Sequence, residues 1–453
     1  MAEVGGETIA PTRIGCGAGF ADDRVDPAVD LLKRGELDFL VLECLAERTI
    51  AANALRRLQD PEAGYDPMLD RRLGPLLPLL RRNGTRLVSN IGAANPLAAG
   101  RRVQELSSEL GLDLRVAVVL GDDVLDKVDP GELCWEDGEP LVAHGRLVSA
   151  NAYLGADAIV EALGTGADVV ITGRVADPSL FLAPLAYARG WDLGDTRLAA
   201  HGTVVGHLLE CAGQVTGGYF ADPPWDTVPA LENLGFPLAE VSDDDAVVTK
   251  LPATGGRLDV DTVLAQLSYE IMDPATYLTP DVTADFTGVE VEQLGKDRVR
   301  VRGARGRERP ADLKVAVGYW SGFQCEAEMS YAGHGARARA QLAGEVVSAR
   351  LAGLLDPLTV EILGVDPIVG PDGADLPGSG ECRLRVAAIA ESRSVAERLG
   401  EEMMALYTNG PAGGGGARRF VSEVIGVVST SIGREKVEPS VKVIEVASLE
   451  EAL

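Results

Sequence analysis

Positive charge is scarce in this sequence, which has 42 Lys and Arg residues against 69 Asp and Glu residues and a net charge of −27. Such an excess of negative charge argues against nucleic acid or an anionic membrane surface as the main partner. No apolar stretch is long enough to span a bilayer, and the N-terminal MAEVGGETIAP lacks the basic and apolar segments of a signal peptide. We therefore expect a cytoplasmic protein that binds neither nucleic acid nor a membrane.

Cysteine is also sparse, and the six cysteines are scattered along the chain. None of them has CxxC spacing, so the sequence predicts neither a disulfide framework nor a zinc site. Small buried cysteines in a reducing compartment are the expected alternative. The cysteines therefore indicate no metal site.

Two glycine-rich segments lack the residues that define nucleotide-binding motifs. TRIGCGAGF does not match GxGxxG, and TNGPAGGGGARR is not followed by GK[ST]. Dinucleotide binding and Walker-type ATP binding are therefore not predicted. The second segment is either an anion-binding loop or a hinge. We favour substrate binding there and assign it to Asn409, Gly413, Gly414 and Arg418.

What the sequence does contain is a recurrent pattern of buried strands followed by polar loops. In GTGADVVITGRVADP (164–178), a short apolar run at Val169–Ile171 is bounded by glycines, which is typical of a parallel strand covered on both faces. Strand and helix alternate in this way through about residue 220. Five or six units are recognisable, whereas a closed barrel needs eight. The pattern predicts an α/β fold with an open, doubly wound, mainly parallel sheet.

The pattern changes after residue 226, where the strands become short and alternating. This predicts a smaller α+β part with antiparallel strands. We expect three regions: 1–225 with the parallel layer, 226–345 as its antiparallel continuation, and 346–453 as a small α+β domain or sheet extension.

Polar side chains follow the predicted parallel strands, and the carboxyl ends of parallel strands meet at one edge of a sheet, where ligands bind. We expect these loops to form one cleft. The candidates for substrate binding are Glu43, Arg48, Asn90, Asn95 and Arg174, and the candidates for acid–base catalysis are Asp122, Asp123 and Asp177. Asp177 has an alternative role as a helix N-cap. Asp122 and Asp123 together are also a candidate site for Mg²⁺ or a similar hard cation.

The segment HGTVVGHLLECAGQVTGGY (201–219) is the other concentration of reactive groups. His207 and Glu210 are one helical turn apart and can share a face. His207 is a candidate proton shuttle and Glu210 a candidate acid–base group, while a metal ligand and a structural histidine remain the alternatives. Thr216 and Gly217 allow the backbone to approach a substrate closely.

Several of these segments taken together resemble the acyclic terpene utilisation protein AtuA family, from about residue 12 to about residue 440. The segments include RIGCGAGFADDRVDPAVDLL, DFLVLECLAERTIA, NAYLGADAIVEAL, GADVVITGRVADPSLFLAPL, GTVVGHLLECAGQVTGGYFADP and YTNGPAGGGGARR. The resemblance implies a link to the breakdown of branched isoprenoid acids through acyl-CoA intermediates. Longer members carry a further ferredoxin-like domain with an ARSGDKG-type motif, which this sequence lacks; either a separate subunit supplies it or this branch does without it.

The candidates and the resemblance together predict an enzyme that acts on a small carboxylated or CoA-linked acyl substrate by lyase or hydratase chemistry. Arg174 and Asn95 would hold an oxyanion or carboxylate. A metal-dependent enzyme on an anionic small molecule and a non-catalytic subunit of an acyl-CoA-processing complex are the alternatives. No cofactor is assigned beyond a divalent cation or a CoA thioester substrate, and we expect a homo-oligomer.

Overall fold

The computed structural model describes residues 10–364 and 380–445. The chain divides into two compact units, one formed by Met1–Gly318 with Val427–Leu453 and the other by Tyr319–Gly426. The N-terminal residues from which we expect no signal peptide lie mostly outside the described part.

The first unit is built on the regular elements that the strand and helix pattern predicts. Its helices are α1 (Asp26–Arg34), α2 (Glu47–Gln59), α3 (Leu69–Leu73), α4 (Leu77–Asn83), α5 (Pro96–Glu109), α6 (Asp157–Gly164), α7 (Ser179–Arg189), α8 (Thr196–Leu209) and α9 (Val260–Ser268). Its first strands are β1 (Thr12–Ala18), β2 (Phe39–Leu42), β3 (Arg86–Ser89), β4 (Val116–Leu120), β5 (Leu147–Ala152) and β6 (Val169–Ile171). They are followed by β7 (Pro237–Val241), β8 (Asp245–Lys250), β9 (Tyr277–Leu278), β10 (Thr283–Asp285), β11 (Glu290–Gly295), β12 (Arg298–Arg302) and β13 (Arg305–Arg307).

Five neighbouring strands form the parallel part of a ten-stranded sheet, in the order β1–β2–β3–β6–β4. One set of helices consists of two contacting pairs, α1 with α4 and α3 with α5. The other set consists of α6, α7 and α8, in which α7 contacts both of the others. Members of both sets pack on the parallel strands. The predicted α/β class with an open, doubly wound sheet is confirmed.

The central strand β6 shows why these residues form this layer. Val169, Val170 and Ile171 are completely buried, as expected for β-branched residues in a strand covered by helices on both faces. Gly166 precedes the strand with a φ of +84°, a conformation that favours glycine. Because β6 lies between β3 and β4 in the sheet, the loop after it lies beside the loops of strands much earlier in the chain.

Antiparallel strands extend the sheet at both edges. β7 pairs with β1, and β8, β12 and β11 follow in turn, while β18 (Ser440–Val443) pairs with β4 at the opposite edge. β13, β10 and β9 form a separate three-stranded sheet. The short antiparallel strands expected after residue 226 are therefore present.

The second unit is an antiparallel sheet covered by two helices. The strands are ordered β15 (Thr359–Leu363), β16 (Glu381–Ala390), β14 (Asp312–Ala332) and β17 (Gly415–Gly433), and the helices are α10 (Ala336–Leu351) and α11 (Arg393–Asn409). Both helices contact β16 and each other, around a core that includes Met329, Leu384, Leu399 and Met403. β14 and β17 each continue across a unit boundary.

Candidate active site

A cavity of about 1150 Å³ opens in the first unit, at the carboxyl ends of three parallel strands. Gly19 follows β1, Glu43 follows β2 and Asp177 follows β6, and all three residues line it. His207 and Glu210, at the end of α8, form another part of its wall. The cavity therefore lies where an open α/β sheet binds ligands.

Gly19 allows the loop after β1 to approach the end of α8. A Cβ atom at this position would lie 2.5 Å from the carbonyl carbon of Cys211 and 2.9 Å from the backbone nitrogen of Ala212. No side chain fits there without a shift of the backbone. The glycine after β1 thus allows two segments that line the cavity to lie in close contact.

Asp177 carries a strongly perturbed carboxyl group in this cavity. Burial raises its pKa, the Arg174 guanidinium lowers it, and the charges of Glu210 and Glu47 raise it again, with a net result of about 7. Its side chain keeps 37% of its surface exposed. Helix α7 begins after Pro178 without a side-chain cap, so the carboxylate of Asp177 is not a helix cap.

Arg174 is almost completely buried and does not line the cavity. Its Nη1 donates to the carbonyl oxygen of Leu45 at 2.5 Å, its Nε donates to that of Val175 at 2.9 Å, and its Nη2 donates to Val175 and to Oδ1 of Asp177. The guanidinium also stacks on the Tyr153 ring, 4.5 Å from its centroid. The geometry makes Arg174 a residue that positions Asp177.

Glu43 and Asn90 form a buried pair next to Asp177. Nδ2 of Asn90 donates to Oε1 of Glu43 at 2.9 Å, and Oδ1 of Asn90 accepts from the backbone N–H of Cys44 at 2.7 Å. Burial and the charge of Asp177 raise the pKa of Glu43 well above its usual value. Glu43 lines the cavity, whereas Asn90 is fully buried and holds it from behind.

His207 and Glu210 contact each other in the wall of the cavity. Nε2 of His207 lies 2.9 Å from the carbonyl oxygen of Gln266, which can only accept a hydrogen bond. Nδ1 lies 2.9 Å from Oε1 of Glu210. The imidazole ring is therefore held between a carbonyl oxygen and a carboxyl group.

The other oxygen of Glu210, Oε2, is buried and has no hydrogen-bond partner in the described part of the chain. The rings of Tyr277 and Phe286 each pack 5.5 Å from the His207 ring, measured between centroids. Of these groups, His207, Glu210 and Tyr277 line the cavity. An apolar setting of this kind strengthens electrostatic interactions with a bound ligand.

A third cluster, Glu47 with Tyr153 and Lys314, was not among the predicted site residues. Oε1 of Glu47 accepts from the Tyr153 hydroxyl at 2.5 Å and from Nζ of Lys314 at 3.1 Å. Burial alone would raise the pKa of Glu47, but these two donors outweigh it and lower the pKa to about 2. Tyr153 and Lys314 meet because β5 pairs with β14, a pairing that no local sequence signal indicates.

Three predicted residues line a different cavity of about 650 Å³ in the same unit: Asn95, Asp122 and Asp123. Oδ2 of Asp122 accepts from the backbone N–H of Arg174 and from Nδ2 of Asn151, both at 2.9 Å. Burial raises the pKa of Asp122 to about 6. The five predicted loops therefore supply two cavities rather than one cleft.

Asn95 and Asp123 make ordinary structural contacts at this second cavity. Asn95 is the N-cap of α5 and accepts from the backbone N–H of Ala98 at 3.4 Å. Asp123 is exposed and lies 3.5 Å from the guanidinium of Arg57. Asp122 and Asp123 thus have separate partners.

The remaining predicted residues of the first unit lie outside the larger cavity. Arg48 is exposed on α2. Thr216 is buried, and its hydroxyl donates to the carbonyl oxygen of Gly213 at 3.0 Å. Gly217 has a φ of +101°. It lies in the turn that places its neighbour Gly218 in the cavity wall.

Four predicted residues belong to the second unit. Asn409 ends α11, and its Nδ2 donates to the carbonyl oxygen of Ala405 at 3.1 Å. Gly413 has a φ of +76°, and a Cβ there would lie 2.7 Å from Nη1 of Arg339. Gly414 packs against Met329, and Arg418 is exposed. Their roles in substrate binding stay predictions.

Among the residues that the structure describes, no helix has the length and apolar character needed to cross a membrane. Searches of the curated proteins and of the solved structures find no match to this chain. The model of one family, described as the acyclic terpene utilisation family protein AtuA, matches residues 12–443. That match covers nearly the whole sequence and every segment that lines the larger cavity, and the chain belongs to the AtuA family.

Proposed function

We propose that the larger cavity is the active site of an enzyme of the lyase or hydratase class, acting on a CoA-linked acyl substrate. The observation that carries the proposal is the presence of Asp177 and the His207–Glu210 pair in one cavity. Asp177 has a pKa of about 7, and His207 lies 2.9 Å from Glu210 in the wall of the same cavity, where it is the proposed proton shuttle. In one direction of the reaction or the other, both reaction types add a proton to, or remove one from, the carbon beside a carbonyl group.

The charge of the cavity disfavours a free carboxylate as the part of the substrate that enters it. Seven acidic side chains and two cationic ones, Arg24 and Lys314, line it. Lys314 is already paired with Glu47. A free carboxylate would meet more negative than positive charge, whereas a thioester carbonyl is uncharged, and the anionic phosphates of CoA would lie outside the cavity. The volume of about 1150 Å³ also exceeds what a small acid alone would fill.

Asp177 is the proposed acid–base group. A pKa of about 7 leaves the carboxyl group protonated in part of the molecules and ionised in the rest at neutral pH, so it can both accept and donate a proton. Glu47, with a pKa of about 2, stays ionised and holds Tyr153 and Lys314 in place. Neighbouring carboxyl groups whose pKa values are pushed in opposite directions are typical of acid–base sites.

The proposal does not extend to a metal-assisted reaction at Asp122 and Asp123. The bonds of Asp122 go to Arg174 and Asn151, and Asp123 pairs with Arg57 at the surface. In this proposal Asp122 supports the backbone of Arg174, which in turn positions Asp177. Removing Asp122 would therefore act on the site only through Arg174.

The test is exchange of the hydrogen at Cα of a saturated branched acyl-CoA in deuterium oxide, followed by mass spectrometry of the recovered thioester. Proton transfer at Cα is common to both reaction types in one direction or the other, so the assay requires no knowledge of the β-substituent. We expect the wild-type chain to incorporate deuterium and Asp177→Asn to lose at least about 100-fold in rate, a typical contribution of a positioned acid or base.

Asp123→Asn is the matched control, because it removes an exposed carboxylate outside this cavity. It should exchange at the wild-type rate. Exchange that persists in Asp177→Asn would contradict the assigned role. Acyl-CoA binding without any exchange by the wild-type chain would instead favour a non-catalytic subunit.

A further inference from the structure

A second group of chemically capable side chains lies in the loop between β4 and β5. Sγ of Cys134, a carboxylate oxygen of Asp137 and a ring nitrogen of His144 all lie within 4.8 Å of one another. Cys134 is buried, with 2% of its surface exposed, while the side chain of Asp137 is 41% exposed. Thiolate, imidazole and carboxylate are the three ligand types that zinc takes in proteins.

The His144–Asp137 pair is compatible with a shared ion. Nε2 of His144 lies 3.4 Å from Oδ2 of Asp137, an ion-pair distance. Zinc bound at about 2.0–2.1 Å to a nitrogen and an oxygen separates those two ligand atoms by about 3.3 Å. The pair can therefore take up one ion with little movement of either side chain.

The loop around these residues is held by its own backbone. The backbone N–H of Cys134 donates to the carbonyl oxygen of Glu139 at 2.9 Å, and the backbone N–H of Gly138 donates to the carbonyl oxygen of Cys134 at 3.0 Å. Oδ1 of Asp137 accepts from the N–H of Glu139 at 3.0 Å. That bond orients the carboxylate and directs Oδ2 toward His144, as partners of metal ligands commonly do.

From this arrangement we propose that Cys134, Asp137 and His144 bind one zinc ion, with water as the fourth ligand. Three protein ligands leave one position of a tetrahedral ion for water. The sulfur ligand disfavours Mg²⁺ and Ca²⁺, which take oxygen ligands. Cys134 binds as a thiolate, so zinc binding releases its proton to solvent.

The ion would stabilise the loop that carries Trp135 to the larger cavity. Trp135 lines that cavity, and its backbone N–H donates to the carbonyl oxygen of Ser429 at 2.9 Å. Oε2 of Glu136 accepts from the N–H of Ser429 at 2.7 Å, and Ser431 lines the cavity from the same strand. The proposed zinc ligand Cys134 thus directly precedes a residue that lines the cavity. The zinc proposal does not depend on the proposed reaction.

The experiment uses the full chain, stripped of metal with a chelator, dialysed, and titrated with Zn²⁺ alone in a calorimeter. A parallel sample is titrated with Co²⁺, which reports a cysteine ligand through a thiolate-to-cobalt charge-transfer band. We expect one ion per chain and a charge-transfer band for the wild-type chain. Cys134→Ser should abolish the band, and His144→Gln should weaken Zn²⁺ binding at least about 100-fold, the upper end of what losing a supporting partner of a ligand costs.

Cys382→Ser is the matched control, because it removes a buried cysteine of the second unit. It should keep both the stoichiometry and the charge-transfer band. Circular dichroism confirms that each variant is folded, and Asp137→Asn provides a milder second variant that should weaken binding. Absence of stoichiometric binding by the wild-type chain, or a charge-transfer band that survives in Cys134→Ser, would overturn the zinc site.

Discussion

Asp122→Asn should change how the stability of the first unit depends on pH. Burial raises the pKa of Asp122 from 3.8 to about 6, and one pKa unit corresponds to about 1.4 kcal/mol. The stabilising effect of its protonated form is therefore fully present below pH 3.8 and lost as pH rises through about 6. From pH 4 to pH 7 the wild-type chain should lose about 2 kcal/mol of unfolding free energy at this residue, and the variant should not.

Urea unfolding of both chains across this pH range measures the difference in unfolding free energy. The asparagine keeps a carbonyl oxygen for the donors on Arg174 and Asn151. Any fixed cost of the amide group changes the difference in unfolding free energy between the two chains by the same amount at every pH. The dependence of that difference on pH is therefore the quantity that tests the reasoning. Asp123→Asn, at the exposed neighbour, should change stability by less than about 1 kcal/mol. A difference between Asp122→Asn and the wild type that does not vary with pH would refute the reasoning.

Two further substitutions test the geometry around the cavity. Arg174→Ala leaves buried carbonyl oxygens unpaired and should lower the unfolding free energy by about 3–5 kcal/mol, whereas Arg48→Ala on the surface should stay within about 0.5 kcal/mol; equal urea midpoints would refute this. Gly19→Ala places a Cβ 2.5 Å from Cys211 and should cost about 1–3 kcal/mol and weaken acyl-CoA binding. Gly164→Ala, with no atom within 4 Å of the new Cβ, is the matched control and should leave the melting temperature unchanged or raise it. Equal melting temperatures of Gly19→Ala and Gly164→Ala would contradict the close approach of Gly19 to Cys211.

Local sequence patterns predicted the parallel layer well because its strands are buried on both faces. The apolar run Val169–Ile171 is observed as β6 with the predicted bounds. The start of a strand is harder to predict. Leu37 is apolar and buried, yet β2 begins only at Phe39. Hydrophobicity marks which residues are buried, but pairing with neighbours decides where a strand begins.

The order of the strands in the sheet could not be predicted from the sequence, and this order decides which loops lie next to one another. β6 inserts between β3 and β4, which brings Asp177 beside Glu43. Asp122 and Asp123 remain at a separate cavity. The pairing of β5 with β14 likewise brings Lys314 to Tyr153 from a distant part of the chain. Such contacts depend on long-range topology, which a single sequence does not encode locally.

Residue type alone also gave an incomplete view of chemistry. An arginine after a parallel strand suggested an anion holder, but the guanidinium of Arg174 is occupied by backbone carbonyl groups and Asp177. Cys134 has no CxxC partner, and its neighbours Asp137 and His144 in the proposed zinc site follow no motif in the sequence. His207 and Glu210 were recognisable because helical spacing is a local property.

The most direct test of the central claim is the ionisation of Asp177 itself. Infrared difference spectra between the wild-type chain and Asp177→Asn, recorded from pH 5 to pH 9, isolate the absorption of this carboxyl group. The account predicts that the band of the protonated form disappears with a midpoint near pH 7. A carboxylate that is already fully ionised at pH 5 would contradict a proton-transferring role for Asp177 and with it the proposed active site.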